Sequence, residues 1–199
     1  MIMQALKEQT REAHNQVEAV SYSNNIMDGS LNADQYTTIV VANYIFNKGV
    51  EEVAYPLLTA NGLADRIQLS QRAKTQLLLA DLDHLGINPA DIETATPKIT
   101  TIEQALGYLY VAEGSTLGGA VIARALAKNP NLSSITSYNF YGCYGENVGT
   151  MWKDFIIAME SSAPRINNND GIVAAGKEAF DFFGKCLTIA KAFTKVEAV

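Results

Sequence analysis

Apolar residues recur at intervals of three and four along most of the chain, and sustained alternation of apolar and polar positions is scarce. That periodicity belongs to amphipathic helices rather than half-buried strands, so the pattern predicts an all-α fold of six helices. The first covers about 3–20. The second follows "LNADQY", with Asn32 as cap and Gln35 completing a capping box, and it ends near Tyr55 because Pro56 disfavours helix in the residue before it. A third, about 64–85, stops at Gly86 in "DHLGINP". The fourth opens in "TTIE", with Thr100 as cap and Glu103 as its partner, and continues to about Lys128 before Pro130. The last two span about 147–161 and 171–195, joined by the polar "SAPRINNND". Before them lies "NPNLSSITSYNFYGCYGE", rich in Tyr and Gly and without helical periodicity. Irregular stretches of that length are uncommon in compact domains and often border a site.

Composition narrows the class. With 199 residues, 48% of them hydrophobic and 18% charged, the chain is a folded protein, read as one domain over 1–199 with room for a cavity in its core. A formal net charge of -6 argues against phosphate-backbone binding, so no nucleic-acid partner is expected. The N-terminal "MIMQALKEQTREAH" has no apolar signal region, which points to the cytoplasm. Cys143 and Cys186 show no metal or redox spacing and are expected to be reduced packing residues. The most apolar stretch, 105–123, carries Glu113 near its middle. A charge there costs about 2.5 to 3.5 kcal/mol on insertion scales, so a buried helix is expected and no membrane partner.

Two segments hold candidate chemistry. In "LKEQTREAHNQVE", Leu6, Ala13, Val17 and His14 share one broad helical face, so the imidazole is expected toward the core. Glu18 lies one turn beyond and can accept the proton of one ring nitrogen, leaving the other for a metal. Lys7 is rotated only about 20° from His14, with Arg11 on the neighbouring edge. A flat apolar ligand with a metal at its centre and carboxylates at its rim suits such a set. A hydrogen-bonded core histidine, with Lys7 and Arg11 paired to Glu8 or Glu12, suits it equally. His84, near a predicted helix end, is read as a dipole partner rather than a ligand.

In "YLYVAEGSTLGGAVIARAL", Gly114, Gly118 and Gly119 lie within an expected helix, where each costs about 1 kcal/mol relative to Ala. Close helix packing and close approach of bare backbone to a large flat ligand both account for them. In the second case Ser115 and Thr116 hold ordered water beside the ligand.

"LKEQTREAHNQVE" resembles the proximal helix of heme oxygenases, and "YVAEGSTLGGAVI" resembles the glycine-rich distal helix of the same family, especially its bacterial soluble branch. Their order and their separation of about a hundred residues agree, and the likeness covers essentially the whole chain. The resemblance implies an all-α multi-helix bundle with heme, both cofactor and substrate, between those two helices. It implies cleavage to biliverdin, CO and iron, with O2 and electrons from a donor such as a ferredoxin or flavoprotein reductase. His14 would be the proximal iron ligand, Glu18 the acceptor for its second nitrogen, and Lys7, Arg11 and Lys153 the partners of the propionates. Gly114, Gly118 and Gly119 would lie against the macrocycle, and Phe180 would wall it, with Phe183 assigned to the core. Animal enzymes place an aspartate in the distal helix where this chain has Ser115, which leaves Ser115, Thr116 and water to supply the distal network. Two other readings stand beside this one: a non-catalytic heme-binding or storage protein, and a thiamine-degrading hydrolase of similar scaffold built on Cys143.

Overall fold

The computed structural model describes residues 1–197, so positions 198 and 199 of the expected domain lie outside the described residues. All regular structure among them is helical. The elements are α1 (Ile2–Gln9), α2 (Arg11–Val20), α3 (Ser23–Asp28), α4 (Ala33–Ala60), α5 (Ala64–Ile67), α6 (Thr75–His84), α7 (Ile102–Gly114), α8 (Gly119–Lys128), α9 (Val148–Ile166) and α10 (Asn169–Glu197).

The core is built where α10 packs on α7 and α4, and α4 packs on α7. Phe46, Leu106, Leu109, Phe155 and Phe182 are buried there, and the Phe46 and Phe182 rings sit 5.8 Å apart. Two glycines set how closely the helices approach. A Cβ on Gly107 would stand 2.5 Å from the Ala175 Cβ and 2.7 Å from the Gly176 backbone, so α7 crosses α10 backbone to backbone. A Cβ on Gly176 would meet Leu6 at 2.9 Å and Thr10 at 3.2 Å, so α10 also seats the junction of α1 and α2.

Several expected helices are divided. The first bends at Thr10, whose backbone N–H and hydroxyl both donate to the Leu6 carbonyl, at 2.9 and 2.7 Å. The third breaks at Gln68, which adopts a left-handed φ of 58°, because Arg72 and Lys74 turn their side chains into the interior before α6 begins. Glu51 caps α6 from α4, accepting the Lys74 and Thr75 N–H groups at 2.6 and 3.0 Å. Its end is as expected: Gly86, at φ +72°, lets the chain leave.

The fourth expected helix starts one residue late. Thr101 and Gln104 form the capping box in place of Thr100 and Glu103, and the Gln104 side chain also accepts from the Thr100 N–H at 2.8 Å. It then breaks between Gly114 and Gly119, so Gly114 ends one helix and Gly118 and Gly119 open the next instead of interrupting a single one. The Asn32–Gln35 box is present, but α4 runs through Pro56 to Ala60. Pro56 is exposed at the position where its missing N–H frees the Glu52 carbonyl to water, and buried Leu58 holds the last turn. Helix α9 likewise outruns its expected end at 161 and contains Pro164.

Burial pushes the Cys186 thiol up from 9.0 to about 12 and the Tyr108 hydroxyl from 10.0 to about 12. It raises Tyr36 and Tyr55 as well. In the unfolded chain these groups lose their protons near their ordinary values, while the folded chain keeps them. Their stabilising contribution is therefore whole below about pH 9 and is lost as pH rises toward about 12. Urea unfolding should give a constant midpoint from about pH 7 to 8.5 and a falling one above it; a midpoint that holds to about pH 11 would contradict this assignment.

Candidate functional site

Helix α2 carries none of its side chains fully buried, and His14 is 54% exposed and Glu18 55%. This corrects the expectation of an inward imidazole. Leu6 is buried and Ala13 and Val17 are half-buried on the packed face. His14 stands about 80° round the helix from the centre of that face, at the edge of solvent. Its ring meets Phe180 of α10 edge-on, with centroids 5.6 Å apart and planes at 82°. The Nδ1 atom is 3.6 Å from Glu18 Oε2, beside the carboxylate but beyond a hydrogen bond, and Nε2 lies on the far side of the ring.

Lys7 and Arg11 are exposed on the same flank, and neither is ion-paired with Glu8 or Glu12 among the described residues. Lys7 ends α1, where a cation suits the helix dipole. Arg11 also borders a shallow depression with Glu8, Glu12 and Asn15 on the outer face. Lys153 is exposed on α9. Phe180 is buried with its edge to His14, while Phe183 packs its ring against Phe46 at 5.4 Å, as a core residue does.

The distal segment runs from Gly114 to Gly119 through tight turns: Thr116 N–H donates to Glu113, Leu117 N–H to Gly114 and Gly119 N–H to Thr116. The Ser115 hydroxyl donates to the Ala112 carbonyl at 2.8 Å and that of Thr116 to the Glu113 carbonyl at 2.7 Å, satisfying carbonyls that the helix end frees. Ser115 is exposed, whereas Thr116 is buried, so Thr116 serves the helix end and Ser115 alone keeps a hydroxyl oxygen open to solvent. The glycines differ too. A Cβ on Gly114 would meet nothing within 4 Å and one on Gly118 only Ile122, at 3.5 Å. One on Gly119 would meet the Tyr141 carbonyl at 2.6 Å, so that residue's bareness is explained by the Tyr/Gly-rich loop packed on it, not by a ligand.

Helices α2 and α7 both pack on α10, α3 touches both α2 and α8, and Phe180 of α10 lies against the His14 ring. A half-exposed imidazole with a carboxylate beside one nitrogen, an unfilled glycine backbone and exposed cations are features that fit a broad, flat, carboxylate-bearing ligand with a metal centre.

Sequence reasoning missed what stands behind the distal segment. Glu113, 1% exposed, receives Nη1 of Arg72 and Nζ of Lys74, and the Tyr144 hydroxyl lies 3.0 Å from both of its oxygens. Burial pushes the Tyr144 hydroxyl up, and the Glu113 charge adds to the shift, so Tyr144 stays a neutral donor. The loop itself is held by buried Asp81, which accepts the Asn139 and Phe140 N–H groups at 2.8 and 2.9 Å. A signal was available: a lone acid inside the apolar "YLYVAEGST" needs buried cations. Burial raises the Cys143 thiol, against its use as an activated nucleophile, so the hydrolase reading loses its one residue.

Residues 1–188 match the family model described as heme oxygenase. The heme oxygenase PigA of Pseudomonas aeruginosa is 29% identical in a 185-residue alignment that covers 89% of this chain and 87% of that protein. Among solved structures, the heme oxygenase from Leptospira interrogans gives a TM-score of 0.80 at 21% identity, covering 96% of this chain and 98% of that one. Heme oxygenase-1 from the cyanobacterium Synechocystis, solved in complex with heme, gives 0.72 at 16% identity over 99% and 95%.

The glycines can be separated experimentally. Gly119→Ala drives a Cβ into a carbonyl and should destabilise the ligand-free chain by about 1–3 kcal/mol, the range of overpacked sites. Gly114→Ala, with open space, should leave stability unchanged or raise it by up to about 1 kcal/mol. Urea unfolding of both variants checks the order; equal losses would remove the distinction.

Proposed function

Because the chain belongs to the heme oxygenase family, we propose that it binds heme as cofactor and substrate and opens it to biliverdin, CO and iron. The observation that carries this reading is the exposed His14 imidazole, with a carboxylate beside one ring nitrogen and Phe180 against its ring, in a chain whose second motif leaves the backbone unfilled at Gly114. Heme supplies the iron at which O2 is reduced and the carbon skeleton that is oxidised; electrons come from an external donor of the ferredoxin or flavoprotein reductase class.

The protein's part is to bind, orient and shield. His14 would ligate the iron through Nε2, with Glu18 beside Nδ1 favouring the tautomer that keeps its proton there. Lys7, Arg11 and Lys153, all exposed, would meet the propionate carboxylates and set the rotation of the ring. Gly114 and Gly118 let the main chain lie closer to the macrocycle than any side chain would permit. Phe180 closes the proximal side and excludes water there. Ser115 donates its proton to the Ala112 carbonyl, so its oxygen remains an acceptor that can orient a water over the distal face.

Ser115 in place of the distal aspartate is what a heme carrier would share, and turnover separates the two. Purified protein with one equivalent of hemin should develop a sharp Soret band. Ascorbate or a reductase in air should then bleach that band as a biliverdin band grows. A stable Soret band without bleaching would make the protein a heme carrier, and no band would remove the reading. His14→Ala should abolish tight hemin binding while leaving the fold intact by circular dichroism; an unchanged spectrum would eliminate His14 as the ligand.

A further inference from the structure

We propose that Glu113 is a positioning residue for the distal segment: its buried carboxylate fixes where α7 ends and hence how the Gly114–Gly118 backbone lies toward bound substrate. The inference rests on the heme oxygenase reading for the identity of that substrate. Its structural part stands on the ligand-free chain.

The segment after Glu113 cannot hold its own register. Glycine is a poor helix former and Ser115 and Thr116 compete for backbone carbonyls, so the point at which α7 unwinds is free to slide by a residue. Glu113 removes that freedom from both ends of the residue. Its side chain is held by Arg72 and Lys74 from the segment before α6 and by Tyr144 from the loop. Its carbonyl, at the same time, receives the Thr116 N–H at 3.1 Å and the Thr116 hydroxyl at 2.7 Å, just beyond the end of the helix. Sliding α7 by one residue rotates the carboxylate by about 100° and leaves three buried charges unpaired.

The holders are themselves fixed. Arg72 Nη2 donates to the Met151 carbonyl of α9 at 3.2 Å, and its guanidinium lies 5.3 Å over the Phe155 ring. Lys74 Nζ donates to the Arg72 carbonyl at 2.9 Å and sits 5.3 Å from the Tyr144 ring centroid. The carboxylate therefore refers the distal turn to α9 and to the α5–α6 segment.

Three variants test this: Glu113→Gln, Tyr144→Phe, and the triple replacement Arg72→Met, Lys74→Met, Glu113→Leu. The triple variant removes the whole charge cluster and leaves no lone ion buried, so it should keep the fold. In ligand-free protein, amide hydrogen exchange of residues 115–119 should quicken by at least about tenfold in the triple variant, with residues 105–111 unchanged. Tyr144→Phe, which keeps both ion pairs, should give a smaller acceleration of the same amides. With hemin, the triple variant should bind but show a shifted ferric spectrum and a changed distribution of biliverdin isomers. Unchanged exchange at 115–119 in the folded triple variant would overturn the proposal. Loss of fold in both charge-altering variants would overturn it too, since the cluster would then be structural and nothing more. Failure of the wild-type chain to bind hemin would cancel the substrate reading and leave the exchange result to decide the positioning role.

Discussion

One buried carboxylate sets the terms for the half of the molecule that faces the distal side. Glu113 cannot lie in the interior alone: an unpaired buried charge costs several kcal/mol, and Arg72 and Lys74 would cost as much without it. Pairing them draws together parts of the chain that are 39 and 41 residues apart. Glu51, capping α6 through the Lys74 and Thr75 N–H groups, brings a second acid to the same region. The geometry leaves little choice. For both cations to reach Glu113, the α-helix must be interrupted between Ile67 and Thr75, which is why an expected continuous helix breaks at Gln68 and passes through a short 3-10 turn, Leu69–Gln71, before α6. For Tyr144 to reach it, the loop after α8 must fold back across α7, which brings Tyr141 onto Gly119.

That loop gives the distal glycines different duties. Asp81 holds the Asn139 and Phe140 N–H groups, and the Tyr141 carbonyl then occupies the space a Gly119 side chain would need. Gly114 and Gly118 have no such neighbour. Three glycines of one motif thus serve two ends, one holding a loop down and two leaving backbone uncovered. Thr116 belongs to the first group, buried and committed to the Glu113 carbonyl, while Ser115 belongs to the second.

The helical class, the Asn32–Gln35 cap and the Gly86 stop were legible because each is encoded within a few residues: periodicity, a capping box, a left-handed glycine. Helix continuity was less so. Whether α4 passes Pro56 depends on Leu58 finding a buried place, and whether the first helix bends at Thr10 depends on Gly176 receiving its methyl group. Neither fact is local. In the candidate site the motifs located His14 and the glycine segment, but the helical-face argument erred for His14 because a face ends somewhere and the imidazole stands at its margin. The ion cluster went unread for the same reason as the bends. Glu113 announces that it needs partners, and only the folded chain shows that they come from "SQRAK".

The proximal side is built on the opposite plan. Helix α1 is fastened at its start by Glu160 of α9, which accepts the Ile2 and Met3 N–H groups at 3.1 and 3.0 Å. It is fastened at its end by buried Leu6 and Thr10 over Gly176. Beyond Thr10 the hold is lighter: α2 has no fully buried side chain and rests on α10 through half-buried Ala13 and Val17, the His14–Phe180 contact and the Lys191 Nζ bond to the Val20 carbonyl, at 2.9 Å. Segments with few buried apolar contacts open at lower free energy than the core, so α2 is less firmly held than α1 or α7. The distal segment is thus tied to the interior by ion pairs, whereas the helix that carries His14 rests on α10 through partly buried side chains.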